Sequence, residues 1–270
     1  MPKLGLGLSL PQTSSYYKYD ADALAYIKAV EAADTSRLET GVRIAINTFV
    51  VGCKADGIWN AIVASCIMAG ARTVAGAIVP LRGNAPTNNN FVSGDYSRKL
   101  GLLGNNSNKY LATGYNNNDT TNFPQNDSHI SCYVSASQTN ASGVLVGTNT
   151  GIGGKLFFNH NSITNLFTRN RAISTSGSFA QAPLGFQGTS RNNSANFDVR
   201  FTGSLGVGSS TQTASSTTPS NELLGVFASG AGAAFTSARM SFYSIGKSLT
   251  LSSLDSRVTT LMATLASVIP

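Results

Sequence analysis

Residues Phe91 to Tyr115, FVSGDYSRKLGLLGNNSNKYLATGY, mark the point at which the character of the chain changes. The segment reads as two strands, Lys99 to Leu103 and Lys109 to Thr113, joined through Gly104-Asn105-Asn106-Ser107. Those turn residues supply the left-handed backbone conformations that a tight connection needs, so the reading is a β-hairpin. An asparagine triplet stands on each side, Asn88 to Asn90 and Asn116 to Asn118, and neither is expected to contribute to a packed core. Upstream the pattern is helical, and downstream almost everything is short strand and turn. The hairpin therefore predicts the start of a β domain whose loops are rich in amides and nearly uncharged.

Beyond it, Tyr115 to Asp127 reads as a long Asn-rich loop carrying Pro124. His129 to Ser135 then alternates, with Ile130, Cys132 and Val134 facing one way and His129, Ser131, Tyr133 and Ser135 the other, the pattern of a half-buried antiparallel strand. Further strands are expected at Val144 to Val146, Lys155 to Phe158, Thr164 to Phe167, Phe197 to Phe201, Leu223 to Ala228 and Met240 to Ile245. Between them lie Gly, Asn and Ser turns, and the tract Ser209 to Ser220 reads as an exposed loop. Many short strands at such spacing predict a sandwich or jelly roll. At the end, Ser252 or Ser253 caps a short helix whose Leu254, Val258, Leu261 and Leu265 recur at helical spacing and face the sandwich.

Working back from Phe91, three helices are expected. Asp20 or Asp22 caps the first, which runs to about Ala33 with Leu24, Ile27 and Val30 on one stripe. Ser36 and Glu39 form a capping box for the second, with Val42, Ala45, Ile46, Phe49, Val50 and Cys53 following helical spacing. Asp56 caps a third, Ile58 to Met68, whose apolar face is too wide for a surface helix and which Gly70 ends. Trp59, on that face, reads as core. Ala71 to Leu81 reads as an apolar strand and Asn84 to Asn90 as a linker. The first residues alternate Leu4, Leu6, Leu8 and Leu10 with small residues up to Pro11, a pattern suited to an edge strand paired either within its own domain or with another sheet. The chain thus divides into an arm at 1–19, a helical attachment region at 20–83 and a β-sandwich at 84–270.

Composition narrows the functions. Of 270 residues, 41% are hydrophobic, enough to bury a full core, while only 11% are charged, against the usual quarter, so Asn, Ser, Thr and Gly must cover the surface. The net charge of +7 is diffuse, because the basic residues from Lys18 and Lys28 to Lys247 and Arg257 are scattered. That argues against a nucleic-acid interface, which needs clustered cations, and for docking on an acidic protein assembly. Cys53, Cys66 and Cys132 form no CxxC and leave an odd thiol, so they are expected to be free and buried. The start, MPKLGLGLSLPQTSS, lacks the sustained apolar region of a signal peptide, and no apolar run approaches the ~20 residues that span a bilayer, so no membrane insertion is expected.

Motifs for catalysis are looked for and not found. His129 and His160 stand in no zinc-binding spacing. The run Gly147, Gly151, Gly153, Gly154 and Lys155 has Asn149 where a phosphate loop needs its first glycine, and Gly246-Lys247-Ser248 has Ser241 there. A glycosidase needs two carboxylates across a cleft. Of Asp95, Asp119, Asp127, Asp198, Glu222 and Asp255, only Asp198 falls on a firm strand, alternating with Arg200, which is expected to pair with a neighbour. Asp119 and Asp127 with loop carbonyls could supply oxygen ligands for calcium, but too few acids converge for a site to be assigned. No catalytic, cofactor or metal residue is therefore assigned, no cofactor is expected, and ligand-binding residues stay unassigned. What remains is a hydrogen-bonding surface of amides and hydroxyls with Tyr110, Tyr115 and Tyr133 near it, suited to sugars or simply to solubility.

The runs DADALAYIKAVEAAD, VRIAINTFVVGCKADGIWNAIVASCIMAGARTVAGAIVPLRG, PTNNNFVSGDYSRKLGLLGNNSNKYLATGYNNN and SFYSIGKSLTLSSLDSRVTTLMATL resemble virion structural proteins of marine and cyanobacterial tailed phages, many of them tail-fibre-like. The second half is similar to concanavalin A-like (laminin-G-like) jelly rolls, in which a strand reading SFYSIG passes to a C-terminal helix. The resemblance, over Asp20 to about Val268, implies a mainly β protein: a concanavalin A-like sandwich preceded by a small three-helix region and followed by a short helix. It implies a non-enzymatic particle component made in the host cytoplasm, a tail fibre or host-adsorption protein, with capsid decoration and a carbohydrate-binding module as alternatives. Implied partners are other virion proteins through the arm and helices, host surface glycans, and copies of the same chain, trimers being common among fibres and decorations.

Overall fold

The computed structural model describes residues 17–139, 142–148, 155–162, 165–173, 177–180, 183–203 and 206–270. The period-2 leucines of the expected arm, and Gly151, Gly153, Gly154 and Thr164, lie outside them.

Helix α1 (Ala21–Ala33) starts where Asp20 accepts a hydrogen bond from the Asp22 N–H at 2.9 Å, as the cap pattern predicts. Helix α2 (Thr40–Ala55) buries the stripe Val42, Ala45, Ile46, Phe49, Val50 and Cys53. Its capping box does not form. Glu39 gives the helix no side-chain cap and instead takes both amino groups of Arg98, at 3.1 and 2.7 Å. A planar guanidinium offers a carboxylate two charge-assisted bonds where a cap offers one.

The next two expectations exchange places. Ile58 to Met68 is not a helix but a single 3-10 turn, Trp59–Ala61, followed by strand β1 (Ile62–Ile67). Ala71 to Leu81 is not a strand but holds the short helix α3 (Val74–Ala77). Six residues rich in β-branched side chains and buried on both faces have no period to distinguish strand from helix. The short helix is fixed by tertiary bonds that no local pattern shows. Asp34 accepts from the N–H groups of Arg72 and Thr73 and from the Thr73 hydroxyl, at 2.6, 2.9 and 2.7 Å. A Cβ at Gly76 would stand 2.2 Å from the Asp34 carboxylate, so the helix seats there only with glycine.

The remaining strands are β2 (Thr87–Asn89), β3 (Tyr96–Ser97), β4 (Gly101–Leu103), β5 (Tyr110–Asn116), β6 (Ser128–Ala136), β7 (Gly143–Gly147), β8 (Lys155–Ser162) and β9 (Asn165–Ala172). They continue with β10 (Gly177–Ala180), β11 (Pro183–Arg191), β12 (Asn196–Gly203), β13 (Gly206–Thr213), β14 (Leu223–Val226) and β15 (Arg239–Gly246). They build two antiparallel sheets. The first is eight-stranded in the order β13-β12-β11-β6-β15-β4-β3, with β1 also on β15; the second is seven-stranded in the order β10-β9-β8-β7-β14-β5-β2. The protein is mainly β, a two-sheet sandwich of jelly-roll type with helices before it and a helix after it.

The expected hairpin is absent. Strand β4 pairs with β15 and β3 in the first sheet, whereas β5 pairs with β14 and β2 in the second, so Gly104 to Asn108 crosses between layers. The turn chemistry itself is as predicted: Asn105 Oδ1 accepts from the N–H groups of Ser107, Asn108 and Lys109 at 3.0–3.1 Å. Gly104 is required for a different reason than the hairpin implied, since a Cβ there would lie 2.1 Å from the Thr236 carbonyl. A turn signal shows where the chain reverses and not which strand it joins.

Two further readings change. β6 is buried on both faces, including His129 and Ser131, because helices cover the face that the alternation assigns to solvent. Ser209 to Thr213 lies in β13, leaving only 214–220 of the expected loop. The final helix α4 (Leu251–Val268) has Thr250 as its N-cap, two residues before Ser252, the nearer of the two expected caps, and buries Leu254, Val258, Leu261 and Leu265 as expected.

Packing makes three layers. Helices α1, α2 and α4 share one core with Phe186 and Phe242 on the outer face of the first sheet, and Trp59 lies within it, 4% exposed. The second core fills the space between sheets with Phe91, Leu111, Phe123, Ile130, Cys132, Val146, Val199 and Tyr243 among others. The region 20–83 is therefore not purely helical, since β1 hydrogen-bonds to β15 within the sandwich. Among the described residues no helix is long and apolar enough to cross a membrane.

Candidate functional site

The twelve acidic side chains of the chain all have bonding partners within it. Around the helices Asp20 and Asp22 hold Lys54, Glu31 meets Arg43, Glu39 holds Arg98 and Arg72, and Asp56 takes Arg257 through two bonds of 2.7 and 2.8 Å. Asp34 fixes the start of α3. In the sandwich Asp95 meets Lys109, Asp119 closes its own turn onto Thr121 and Asn122, and Asp127 accepts from the Ser248 N–H and hydroxyl at 2.7 and 2.6 Å. Asp198 accepts from Thr211 at 2.7 Å, Ser220 donates to Glu222 at 3.1 Å, and Asp255 holds Arg200 at 2.6 Å. The partner expected for Arg200 is thus on α4 and not on its own sheet. Bonding to Arg98 holds the Glu39 carboxyl below its usual range, and bonding to Lys54 does the same for Asp20.

Buried cations and the buried histidine are equally committed. Arg171, at a left-handed φ of 57° on β9, is fully buried and donates to the carbonyls of Asn117 and Phe123, both at 2.7 Å, and to the Asn117 amide oxygen. Arg191 on β11 donates to the carbonyls of Asn170, Asn193 and Ala214 at 2.8, 3.0 and 2.7 Å. Burial lowers the pKa of both. Asn117, from a triplet expected to stay out of the core, is fully buried as a result. His129 donates from Nδ1 to the Lys247 carbonyl and accepts at Nε2 from the Ser244 hydroxyl, and burial pushes its pKa down to about 4, fixing it neutral. The side chain of His160 lies outside the described residues. Cys53, Cys66 and Cys132 are free and buried, and burial pushes the first two thiols up to about 12.

A groove of about 570 Å³ lies on the outer face of the first sheet, beside the N-terminus of α4. Ser190 of β11, Asp198 and Arg200 of β12, Ser209 and Thr211 of β13, and Ser248, Thr250 and Ser252 before and within α4 line it. It exists because α4 covers β11 and part of β12 but stops short of β13. The Ser190 hydroxyl accepts from the Leu249 N–H at 3.0 Å and Arg200 donates to Ser209 at 3.1 Å, so the walls are cross-braced. Hydroxyls with one guanidinium and one carboxylate form a surface that donates and accepts hydrogen bonds, the chemistry that holds polyols.

No protein-family model matches the chain, and no curated protein matches it in sequence. Solved structures show distant similarity. One is a GH54 α-L-arabinofuranosidase soaked with a cyclic sulfate inhibitor, 12% identical, covering 58% of this chain and 41% of that one with a TM-score of 0.40. Another is an arabinofuranosidase complexed with arabinofuranosyl-α-1,2-xylobiose, 12% identical, with coverages of 58% and 40% and a TM-score of 0.41. A third is the Trypanosoma rangeli sialidase in complex with 2,3-difluorosialic acid, 11% identical, with coverages of 88% and 38% and a TM-score of 0.40. The chain spans about two fifths of the length of these proteins. No residue role is carried over from them.

Of the residues weighed from sequence, the structure brings Asp198 and Arg200 into the groove, sets Asp255 behind it on Arg200 and Asp127 on Ser248 of its wall, and leaves Asp95, Asp119 and Glu222 elsewhere. Asp119 and Asp127 serve separate structural bonds, and among the described residues no group of three or more His, Cys, Asp or Glu is placed to hold a metal ion. The three tyrosines do not converge: Tyr110 and Tyr115 pack against the core between the sheets, whereas Tyr133 packs under the helices. The groove was not legible in the sequence because its hydroxyls come from three separate stretches, one of them, Ser209 to Thr211, in a tract read as a loop. Residues 209–213 are all polar, so the period-2 exposure along β13 left no alternation in the sequence to read.

Proposed function

We propose that this protein is a non-enzymatic structural component of a phage particle, a tail-fibre or host-adsorption subunit that resides in the virion. The observation that carries the reading is the commitment of every acidic side chain to a structural bond, including Asp198, whose carboxylate is tied to Thr211 on the adjacent strand. Such a protein spends its charges on shape. The helical layer on one sheet and the N-terminal residues form the attachment side toward other virion proteins, and the amide- and hydroxyl-covered remainder faces outward. Tyr17 begins that side, accepting from Asn47 of α2 at 3.2 Å and stacking edge-on against Tyr19.

Immunogold labelling of intact particles tests the reading: gold on tail appendages supports it, and gold over the head replaces it with capsid decoration. Deletion of residues 1–19 leaves a folded protein that no longer enters particles, and normal incorporation of the truncated chain would remove the attachment role from that segment.

The groove beside α4 favours a second reading, a carbohydrate-binding module for host glycans. It predicts saturable binding on a glycan array that Arg200→Ala and Thr211→Val abolish. An array without signal counts against it.

A further inference from the structure

Most arginines among the described residues are spent within the fold. Arg72, Arg98 and Arg257 give terminal nitrogens to carboxylates, and Arg171, Arg191 and Arg239 give theirs to backbone carbonyls. Arg82, between α3 and β2, is different. Its Nε donates to the Ile62 carbonyl at 3.2 Å and its guanidinium carbon lies over the Trp59 ring, 5.1 Å from the centre, so the head group is held from two sides. Its terminal nitrogens meet no acceptor among the described residues. The outer edge of the fork, with two parallel N–H groups, therefore stays open, and a planar carboxylate fits that edge.

Arg82 lines a cleft of about 730 Å³ that α1, the Trp59–Ala61 turn and residues 121–122 enclose. Small-molecule sites span roughly 300–1,000 Å³. Lys247 lines the same cleft, and its N–H donates to the Ala61 carbonyl at 2.9 Å, so the two cationic residues are tethered to consecutive carbonyls. Lys247 is exposed, and no carboxylate meets its ammonium among the described residues. Asp22, the acid on the cleft wall, is met by Lys54 at 2.6 Å, and Asp119 is tied to Thr121 and Asn122. The Asn60 amide and the Thr121 hydroxyl, both on exposed residues of the lining, can each donate and accept.

We propose that this cleft binds an acidic sugar, a pyranose that carries a carboxylate. Arg82 takes the carboxylate on its open edge, Lys247 adds attraction for the charge, and Asn60 and Thr121 hydrogen-bond ring hydroxyls. An acidic side chain of a docking protein would need only the arginine, whereas a cleft of this size with neutral hydrogen-bonding walls accommodates a whole ring. The cleft shares no residue with the groove beside α4, so the inference goes beyond both readings above and stands whether or not that groove holds a glycan.

Trp59, the sole tryptophan, is a built-in reporter, because a ligand on Arg82 alters the cation over its ring. Titrating the full chain with methyl glucuronide or methyl galacturonide gives a saturable change in tryptophan emission, matched by the heat of binding in calorimetry. Methyl glucoside, which lacks the carboxylate, binds roughly tenfold more weakly or worse, and so does acetate, which lacks the ring. Arg82→Lys keeps the charge but not the fork, and it weakens uronide binding roughly tenfold or more while the thermal midpoint stays that of the wild type. Lys247→Gln, which changes an exposed side chain, weakens binding about threefold. Absence of saturable binding with both uronides overturns the proposal, as does a glucoside that binds equally well. Equal affinity for acetate overturns it too, since the site would then hold bare anions. Wild-type affinity in either variant has the same consequence, and if Arg82→Lys loses its fold, Lys247→Gln alone decides.

Discussion

The helical side of the molecule and the far end of the sandwich solve the same problem, how to neutralise buried or half-buried polar groups, in opposite ways. Around α1 and α2 the solution is ion pairing: Asp20 with Lys54, Glu39 with Arg98 and Arg72, Asp56 with Arg257, all partly open to solvent. Between the sheets it is a guanidinium without a carboxylate, with Arg171 and Arg191 bonded to backbone carbonyls, those of Asn117, Phe123, Asn193 and Ala214 outside the strands and that of Asn170 on β9. An arginine can bridge several carbonyls at once because its donors lie in a rigid fork. The contrast explains how a chain with 12 acids and 19 basic residues uses the excess: part of it is internal mortar for Asn-rich loops and not a surface field.

The largest expected effect breaks the mortar. Arg171→Ala removes a fully buried side chain and leaves the carbonyls of Asn117 and Phe123 and the Asn117 amide oxygen without their donor. A cavity plus orphaned acceptors costs about 4 kcal/mol in urea unfolding. Arg171→Met restores most of the volume and isolates the hydrogen-bonding part, expected at about 2 kcal/mol. Equal stability of Arg171→Met and the wild type would show that the loop is held by packing alone.

The next effect comes from the boundary between the two regions, where His129 sits beneath the helices. Its folded pKa of about 4 lies below the value near 6.5 that an unfolded chain shows. The contribution is therefore complete above pH ~6.5 and is lost as pH falls toward 4, because the unfolded chain takes up a proton that the folded one refuses. About 2 kcal/mol is gone by pH ~5, a window above the titration of ordinary carboxylates. His129→Gln flattens the stability profile between pH ~6.5 and ~5, and a profile that keeps its slope in that variant assigns the effect to another group.

How much of this is visible in the sequence follows from where each signal lives. Helices α1 and α2, the stripe of α4, the buried cysteines, Trp59 in the core and most sandwich strands are legible because one face of each is buried and the period survives. Where both faces are buried the period disappears, and β1 was read as a helix for that reason. Pairing across layers is not local, so the Gly104 to Asn108 turn was recognisable while the destination of β5 was not. The outer face of β6 looked solvent-exposed because Ser131 and His129 are polar, and only the position of the helices shows that they are enclosed. Arg171 carried no signal at all, since its partners are carbonyls and every residue has one. For the groove, the sequence offered Asp198 and Arg200 on one strand but not the helix end that closes the wall.

The smallest expected effect tests the helical side of the contrast. Glu39→Gln keeps shape and hydrogen-bonding capacity but removes the charge that Arg98 and Arg72 meet at 2.7 and 3.0 Å. These side chains are a quarter to a third exposed, so solvent screens the pair and the cost is about 1 kcal/mol, shrinking further as salt is added. Because Arg98 holds the Glu39 carboxyl below its usual range, that stability is present above the unfolded pKa near 4.5 and is lost as pH falls through the lower folded value. The two halves should therefore separate in a salt titration: 1 M sodium chloride narrows the gap between Glu39→Gln and the wild type and leaves the gap for Arg171→Met unchanged, since the carbonyl-bonded guanidinium is sealed from the ions. If both gaps narrow together, solvent reaches Arg171 and the distinction between an ion-paired exterior and a carbonyl-bonded interior does not hold.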